Sequence, residues 1–289
     1  MFPLFVSIEP SARCSLHCPQ CPVGRGDYAA TTPFMPEELY TRILLQLPRS
    51  VRLLQLYFQG EPLLNPALPR FIRLATERSL HTTLSTNAQN MTSALAEALI
   101  SAGLSRIIVS MDGITQASYE QYRVGGSVDK VKAALTDLHD AKKRLHGKTH
   151  IELQCLYLSS NQDDREALRQ QYRLLGADSL TFKTAQFYDY ESGNALMPDE
   201  AHSRYRRTPD SRYEPKRKPS RLCLRALTGC VITTDGDVLP CCYDKSHQYI
   251  FGNLTQDTFD AIWHGMPRQN FLKALRQGHP YPMCFNCAG

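Results

Sequence analysis

Cys14, Cys18 and Cys21 fall in one run, Cys14-Ser-Leu-His-Cys18-Pro-Gln-Cys21, just behind a short apolar stretch from Phe2 to Ile8 that reads as a buried strand. Three thiolates on a tight loop at the C-terminal end of such a strand can point at one centre. Three cysteines rather than four suit an iron–sulfur cluster with one iron left open. A structural zinc site or three buried thiols is the plain alternative, since Cys-x-x-Cys is common in zinc proteins. A second set lies near the C-terminus: Cys223, Cys230, the adjacent pair Cys241-Cys242 and the terminal Cys284-Phe-Asn-Cys287. Neighbours on an extended strand point to opposite sides, so Cys241 and Cys242 are not expected to share one centre. Four thiolates there suit zinc as well as a closed cluster.

The elements that must position these thiols are legible from pattern. Apolar, β-rich runs at residues 2–9, 51–58, 80–85, 106–111, 151–158 and 179–183 alternate with helical patterns at 36–47, 67–79, 93–102, 128–145 and 163–175. Strands that alternate with helices pair in parallel through right-handed crossovers. Six units are too few for a full eight-fold barrel, so the expected fold is α/β, an open, partial (β/α)6 barrel over residues 1–187 with its site at the C-terminal strand ends. Residues 188–222 read as a linker by composition, rich in proline and carrying Arg204, Arg206, Arg207, Arg212, Lys216, Arg217, Lys218 and Arg221. The plain reading is a solvated connector. The sharper one is a cationic rim that attracts an acidic substrate, a peptide or a reductase. Residues 223–289 form a small α+β unit, with a β-hairpin at 231–239 turning on Asp235-Gly236, an amphipathic helix around Phe259, Ile262 and Trp263, and a second helix ending near Gly278.

Composition excludes several classes. At 289 residues with 42% hydrophobic content the chain is neither disordered nor fibrous. Ten cysteines behind a start with no secretory signal argue for thiols kept reduced, hence a cytoplasmic protein. No apolar run approaches the ~20 residues needed to cross a bilayer. A net charge of +5 is mild and does not by itself imply nucleic-acid binding.

The strand ends carry the remaining polar chemistry. The second strand runs into Tyr57-Phe-Gln59-Gly60-Glu61-Pro62, where a glycine permits close backbone approach and a carboxylate can accept hydrogen bonds from an ammonium group. The third ends in Ser85-Thr-Asn87, whose short polar side chains could reach a ribose or a carboxylate. The fourth ends in Ser110-Met-Asp112, a poor sequence for a core and a reasonable one for a pocket. Arg123 follows.

Read with the Cys-x3-Cys-x2-Cys run, this order of strand-end residues resembles the radical S-adenosylmethionine (radical SAM) superfamily. The resemblance implies a [4Fe–4S] cluster held by Cys14, Cys18 and Cys21, whose open iron chelates SAM. It implies that Gln59, Gly60 and Glu61 stand where the family has Gly-Gly-Glu and hold the SAM amino group, and that Arg123 pairs with the SAM carboxylate. Ser85, Asn87, Ser110 and Asp112 complete the expected cofactor pocket. Gln20 stands where the family often has an aromatic residue against the adenine, so those contacts are expected from the segment around Leu156 or from Tyr57. The C-terminal unit resembles the SPASM or shorter "twitch" extension, with an auxiliary [4Fe–4S] cluster on Cys223, Cys241, Cys284 and Cys287. Its six cysteines are short of the about seven ligands that two clusters take. That leaves Cys155, Cys230 and Cys242 free.

The activity the resemblance implies is reductive cleavage of SAM to a 5′-deoxyadenosyl radical, which takes hydrogen from a substrate carbon. Oxidation follows if the electron leaves through the auxiliary cluster, and epimerisation if the thiol of Cys242 or Cys230 returns a hydrogen atom. Lys183 is the first candidate for a general base, with Glu152 and Gln154 behind it. The expected substrate is a compact polar molecule such as a sugar or cyclitol, and a peptide is the alternative. A flavodoxin- or ferredoxin-type protein is the expected electron donor, with no nucleic-acid or membrane partner. A non-catalytic electron carrier and a zinc-stapled structural protein are the remoter readings.

Overall fold

The computed structural model describes residues 2–28 and 30–287. The six expected barrel strands are present as β1 Phe5–Ile8, β2 Leu53–Gln55, β3 His81–Thr86, β4 Arg106–Ser110, β5 His150–Tyr157 and β6 Ser179–Thr184. They pair in parallel in sequence order. Between them run α1 Pro22–Arg25, α2 Glu37–Gln46, α3 Leu68–Glu77, α4 Ser93–Ser101, α5 Gln116–Glu120, α6 Val128–Arg144 and α7 Asp164–Gln171. Local chemistry sets the helix ends. Thr92 and Ser127 accept backbone N–H bonds at the starts of α4 and α6, and Lys142, Lys143 and Arg144 lie in the last turn of α6, where its dipole favours cations.

Alternation along the strands separates two faces. Val6, Ile8, Leu54, Leu84, Ile107, Val109, Ile151, Leu153 and Cys155 point outward into one apolar core beneath the helices. The intervening positions, among them Gln55, Ser85, Ser110 and Gln154, point into the barrel and are mostly polar. This is why the strands do not read as uniformly apolar, as fully buried parallel strands would.

The C-terminal segment is built onto this sheet. After α8 Leu224–Thr228 come β9 Gly229–Ile232, β10 Asp237–Leu239 and β11 Gly252–Asn253. β9 pairs in parallel with β1, Val6 opposite Cys230, and β10 and β11 extend the sheet in antiparallel fashion, giving the order β11-β10-β9-β1-β2-β3-β4-β5-β6. The hairpin turns at Asp235-Gly236 as its sequence requires, with Gly236 at φ +88°. α9 Phe259–His264 and α10 Met266–Arg276 pack Phe259, Ile262, Trp263, Phe271 and Leu272 into the same core as the barrel helices. A last turn, α11 Pro282–Phe285, precedes Cys287.

Residues 188–222 are more than a solvated connector. They contain an antiparallel hairpin, β7 Tyr205–Arg207 with β8 Tyr213–Pro215. Tyr205 is fully buried, stacks on Tyr190 with ring centroids 4.8 Å apart, and donates its hydroxyl to the side chain of Asn286. Arg204 donates to the carbonyls of Asn286 and Thr184. The basic segment therefore straps the terminal cysteine pair to the end of β6. Its cations are partly neutralised within the strap, since Arg206 pairs with Glu214. Among the described residues no helix is long and apolar enough to cross a membrane.

Candidate functional site

A cavity of about 380 Å³ opens at the C-terminal ends of the barrel strands and gathers most of the residues singled out in the sequence. Cys14, Cys18 and Cys21 line it together with Gln59, Gly60, Glu61, Ser85, Asn87, Ser110 and Arg123. Two loops must approach closely to form it. A side chain at Gly60 would place its Cβ 2.0 Å from the Ser11 carbonyl oxygen, and one at Gly24 would meet the Cys18 backbone at 2.6 Å. The Glu61 amide also donates to the Arg13 carbonyl at 2.7 Å. The close approach at Gly60 is thus between the β2 loop and the thiol loop itself.

The donor set suits a cluster. The Leu16 amide and the Asn87 side chain each lie 3.4 Å from the Cys14 sulfur, and Arg123 Nη1 lies 4.0 Å from that of Cys18. Such N–H groups favour negative charge on sulfur. Burial acts the other way and pushes the Cys14 thiol up to about 11, with Cys18 also raised by burial. A positive iron centre is what would hold these sulfurs as thiolates at neutral pH.

Glu61 is buried and takes three donors: the Leu63 amide at 3.0 Å, the Thr86 hydroxyl at 2.7 Å and the Asn87 amide at 2.7 Å. These contacts aim its carboxylate. Asp112 does not line the cavity. It is 0% exposed, accepts from Arg123 Nε at 2.6 Å and from the Leu156 amide at 2.6 Å, and so acts on the pocket through Arg123. Leu156 likewise stays behind the lining, its contribution being that amide. Of the two candidates for the adenine, Tyr57 lines the cavity and Leu156 does not. Gln20 bonds to the Tyr188 amide and to Asp189, so this side chain ties the segment after β6 to the thiol loop.

A second cavity of about 660 Å³ lies on the side of β1 and β2 facing the C-terminal segment, and Cys223, Cys241, Cys284 and Cys287 all line it. Apolar neighbours Phe5, Leu53, Leu224 and Leu275 enclose them. Four sulfurs in an apolar wall suit a closed cluster. Cys242 faces the first cavity instead: the strand has ended at Leu239 and the pair enters a turn closed by the Asp244 amide on the Cys241 carbonyl, and Arg225 reaches the Cys242 sulfur at 3.7 Å.

Three expected roles change. Cys230 is 1% exposed, and its register opposite Val6 turns its sulfur into the helix-covered core, where burial pushes the thiol up to about 12. It cannot reach a substrate in the first cavity. Lys183 is exposed and does not line the cavity; burial of its base together with the charges of Arg106 and Arg225 lowers its pKa. Glu152 is buried near the start of β5 in an ion pair with Arg106, far along the strand from the site. Gln154 does line the cavity, and its amide nitrogen is buried with no partner among the described residues.

The sequence reading missed two elements of the site. Lys245, three residues beyond Cys242, lines the first cavity and lies 5.3 Å from the Tyr188 ring centroid. Glu9, at the end of β1, is 0% exposed and accepts the Tyr28 hydroxyl at 2.8 Å and the Gln59 amide at 3.2 Å, while Tyr28 meets His247 Nε2 at 3.1 Å. A polar residue closing an apolar strand was the available signal for Glu9.

Burial outweighs those hydrogen bonds and raises the Glu9 carboxyl from 4.5 to about 7. The folded protein therefore keeps a proton that the unfolded chain has already released, and this group's contribution to stability falls as pH rises from 4.5 to about 7. A shift of that size corresponds to roughly 3 kcal/mol. Glu9→Gln should flatten that part of the profile, which urea denaturation at about pH 5 and about pH 8 would read as a smaller loss of stability than in the unaltered protein.

Comparison with known proteins agrees with this geometry. Residues 8–152 match the radical SAM superfamily, and residues 223–288 match SPASM, an iron–sulfur cluster-binding domain. The chain is 22% identical to a tungsten-containing aldehyde ferredoxin oxidoreductase cofactor-modifying protein of Pyrococcus furiosus, over 98% of this chain and 87% of that one. It is 26% identical to a PqqA peptide cyclase of Granulibacter bethesdensis, over 92% and 75%. Its fold is similar to that of BtrN in complex with AdoMet and 2-DOIA, with a TM-score of 0.62 at 20% identity over 99% and 93% of the chains. Streptococcus suis SuiB bound to its precursor peptide SuiA gives a TM-score of 0.69 at 16% identity, covering 100% of this chain and 71% of that one. A three-thiol loop at the mouth of a partial (β/α)6 barrel and a four-thiol wall beside it have the same explanation as these matches: the chain belongs to the radical SAM superfamily and carries a C-terminal SPASM domain, the pair of domains that binds SAM and [4Fe–4S] clusters.

Proposed function

We propose that this protein oxidises a C–H position of a compact polar substrate bound between its two thiol-lined cavities. The observation that carries the reading is the division of Cys241 and Cys242: one sulfur lies on the wall of the auxiliary site and its neighbour in the SAM cavity, so the hairpin end bridges the two. When bound, SAM and the cluster on Cys14, Cys18 and Cys21 supply a 5′-deoxyadenosyl radical to take a hydrogen atom, and the cluster on Cys223, Cys241, Cys284 and Cys287 supplies a one-electron acceptor. The chain's own residues position the reactants. Arg123, held by Asp112, presents its guanidinium beside Cys18 for the SAM carboxylate, and Glu61, aimed by Thr86 and Asn87, faces the SAM amino group. Tyr57, Gln154 and Gln186 wall the cavity.

The cavity of about 380 Å³ must hold SAM as well, which favours a small molecule, or one side chain of a peptide, over a long segment. The structure named for BtrN holds a small molecule and that of SuiB a peptide, and both share this fold. Epimerisation is the second reading, favoured by the Cys242 thiol in the same cavity. A flavodoxin- or ferredoxin-type donor would supply the reducing electron.

Anaerobically reconstituted protein carrying about eight irons per chain should form 5′-deoxyadenosine from SAM and dithionite. Absence of that product would overturn the assignment. Turnover in deuterated water then separates the two readings, since an oxidised product carries no solvent deuterium at the reacting carbon and an epimer carries one.

A further inference from the structure

Two polar groups of the SAM cavity have no acidic partner, the cation Lys245 and the neutral donor Gln154. Lys245 lines the SAM cavity, and among the described residues no carboxylate lies within ion-pairing distance of it. Arg225 has the Cys242 sulfur as its hydrogen-bond partner. Gln154 aims an unpartnered amide nitrogen into the cavity wall.

The carboxylates nearby are already engaged. Glu61 takes three donors, Asp112 is paired with Arg123, and Glu152 with Arg106. Asp244, next to Lys245 in the chain, is 1% exposed and accepts the amides of Gln248 and Tyr249. SAM adds to the imbalance, because its sulfonium and ammonium exceed its one carboxylate by a positive charge.

Burying uncompensated cations is unfavourable unless a counter-charge arrives. We propose that the substrate brings that counter-charge: it is a small molecule bearing a carboxylate or phosphate, gripped by Lys245 with Gln154 as a neutral donor beside it. This rests on the reading of the cavity as a radical SAM substrate site and narrows it. The same surroundings would repel an amino-bearing substrate. Anionic clusters are the competing sink for this charge: Arg225 lies against Cys242 and close to Cys241 and Cys287, and Lys245 has Cys21 and Cys242 among its electrostatic neighbours. Lys245 is the discriminating position, since it lines the cavity.

Reconstituted holoenzyme with SAM should be titrated calorimetrically with glucuronate, glucose 6-phosphate, glucose and glucosamine. One of the two anions should bind at least about tenfold tighter than glucose, and glucosamine should be weakest, because a hydrogen bond to a charged group contributes roughly 1.5–3 kcal/mol. Whichever anion binds identifies the carboxylate or the phosphate. Lys245→Gln should weaken that anion about tenfold or more while leaving iron content and the cluster EPR signals unaltered. Glucose or glucosamine binding as tightly as both anions would overturn the proposal, as would no binding of any probe. A Lys245→Gln variant that keeps anion affinity but loses iron or shifts the EPR signals would assign this lysine to the clusters instead. Formation of 5′-deoxyadenosine, read separately on the same preparation, tests the radical SAM reading without touching this one.

Discussion

Replacing any one of Cys14, Cys18 or Cys21 by alanine should abolish 5′-deoxyadenosine formation and lower iron from about eight to about four per chain, the loss of one cubane. Each sulfur has its own N–H or carbonyl neighbour in a loop locked by Gly60 and Gly24, so the two remaining thiols cannot rearrange to replace the third. The C-terminal cysteines give the contrast. Cys241→Ala should also remove about four irons, because its sulfur lies on the four-thiol wall. Cys242→Ala should remove none, since that sulfur faces the other cavity. Iron and sulfide analysis of anaerobically reconstituted variants would read this directly. A Cys242 variant that loses half its iron would reverse the assignment of the pair.

Arg123→Met should be the most damaging change outside the cysteines. It leaves Asp112, 0% exposed, with one backbone amide and no counter-charge, and breaking a buried pair by removing one partner costs roughly 3–5 kcal/mol. It also takes a donor from beside the Cys18 sulfur and the cation proposed for the SAM carboxylate. The double variant Asp112→Asn, Arg123→Met separates the effects. Most of the lost stability should return, because no buried charge is left alone, while SAM binding stays weak. Urea denaturation with equilibrium SAM binding on both variants is the measurement. If the double variant regained SAM affinity, Arg123 would be a structural group alone.

How far the site could be read without coordinates depends on how local each requirement is. The order Cys14, Cys18, Cys21, then Gln59-Gly60-Glu61, Ser85-Asn87, Ser110 and Arg123 is written into the chain because each group lies at the end of a strand or in the connection that leaves it, and a parallel barrel brings its strand ends together. The exclusion of Cys155 from chemistry was equally local, since a thiol between Leu153 and Tyr157 on an apolar strand is a core residue, and it is fully buried. Cys230 was misassigned because its facing depends on how β9 registers against β1, a pairing between residues more than 200 positions apart. The connector at 188–222 was read from its charge, whereas its packing depends on Tyr205 meeting Tyr190, Phe187 and Asn286, which no short window shows.

By itself, then, the sequence determined the alternation that makes a partial barrel, the two sets of thiols and the strand-end groups that surround them, because periodicity and spacing are properties of neighbours along the chain. Only the tertiary structure decided that the C-terminal hairpin extends the barrel sheet through β1, which cavity each of Cys241 and Cys242 lines, that Asp112 works through Arg123, and that Lys245 stands in the pocket without an acid. Those outcomes follow from strand register and long-range charge balance, which exist only once distant segments have met.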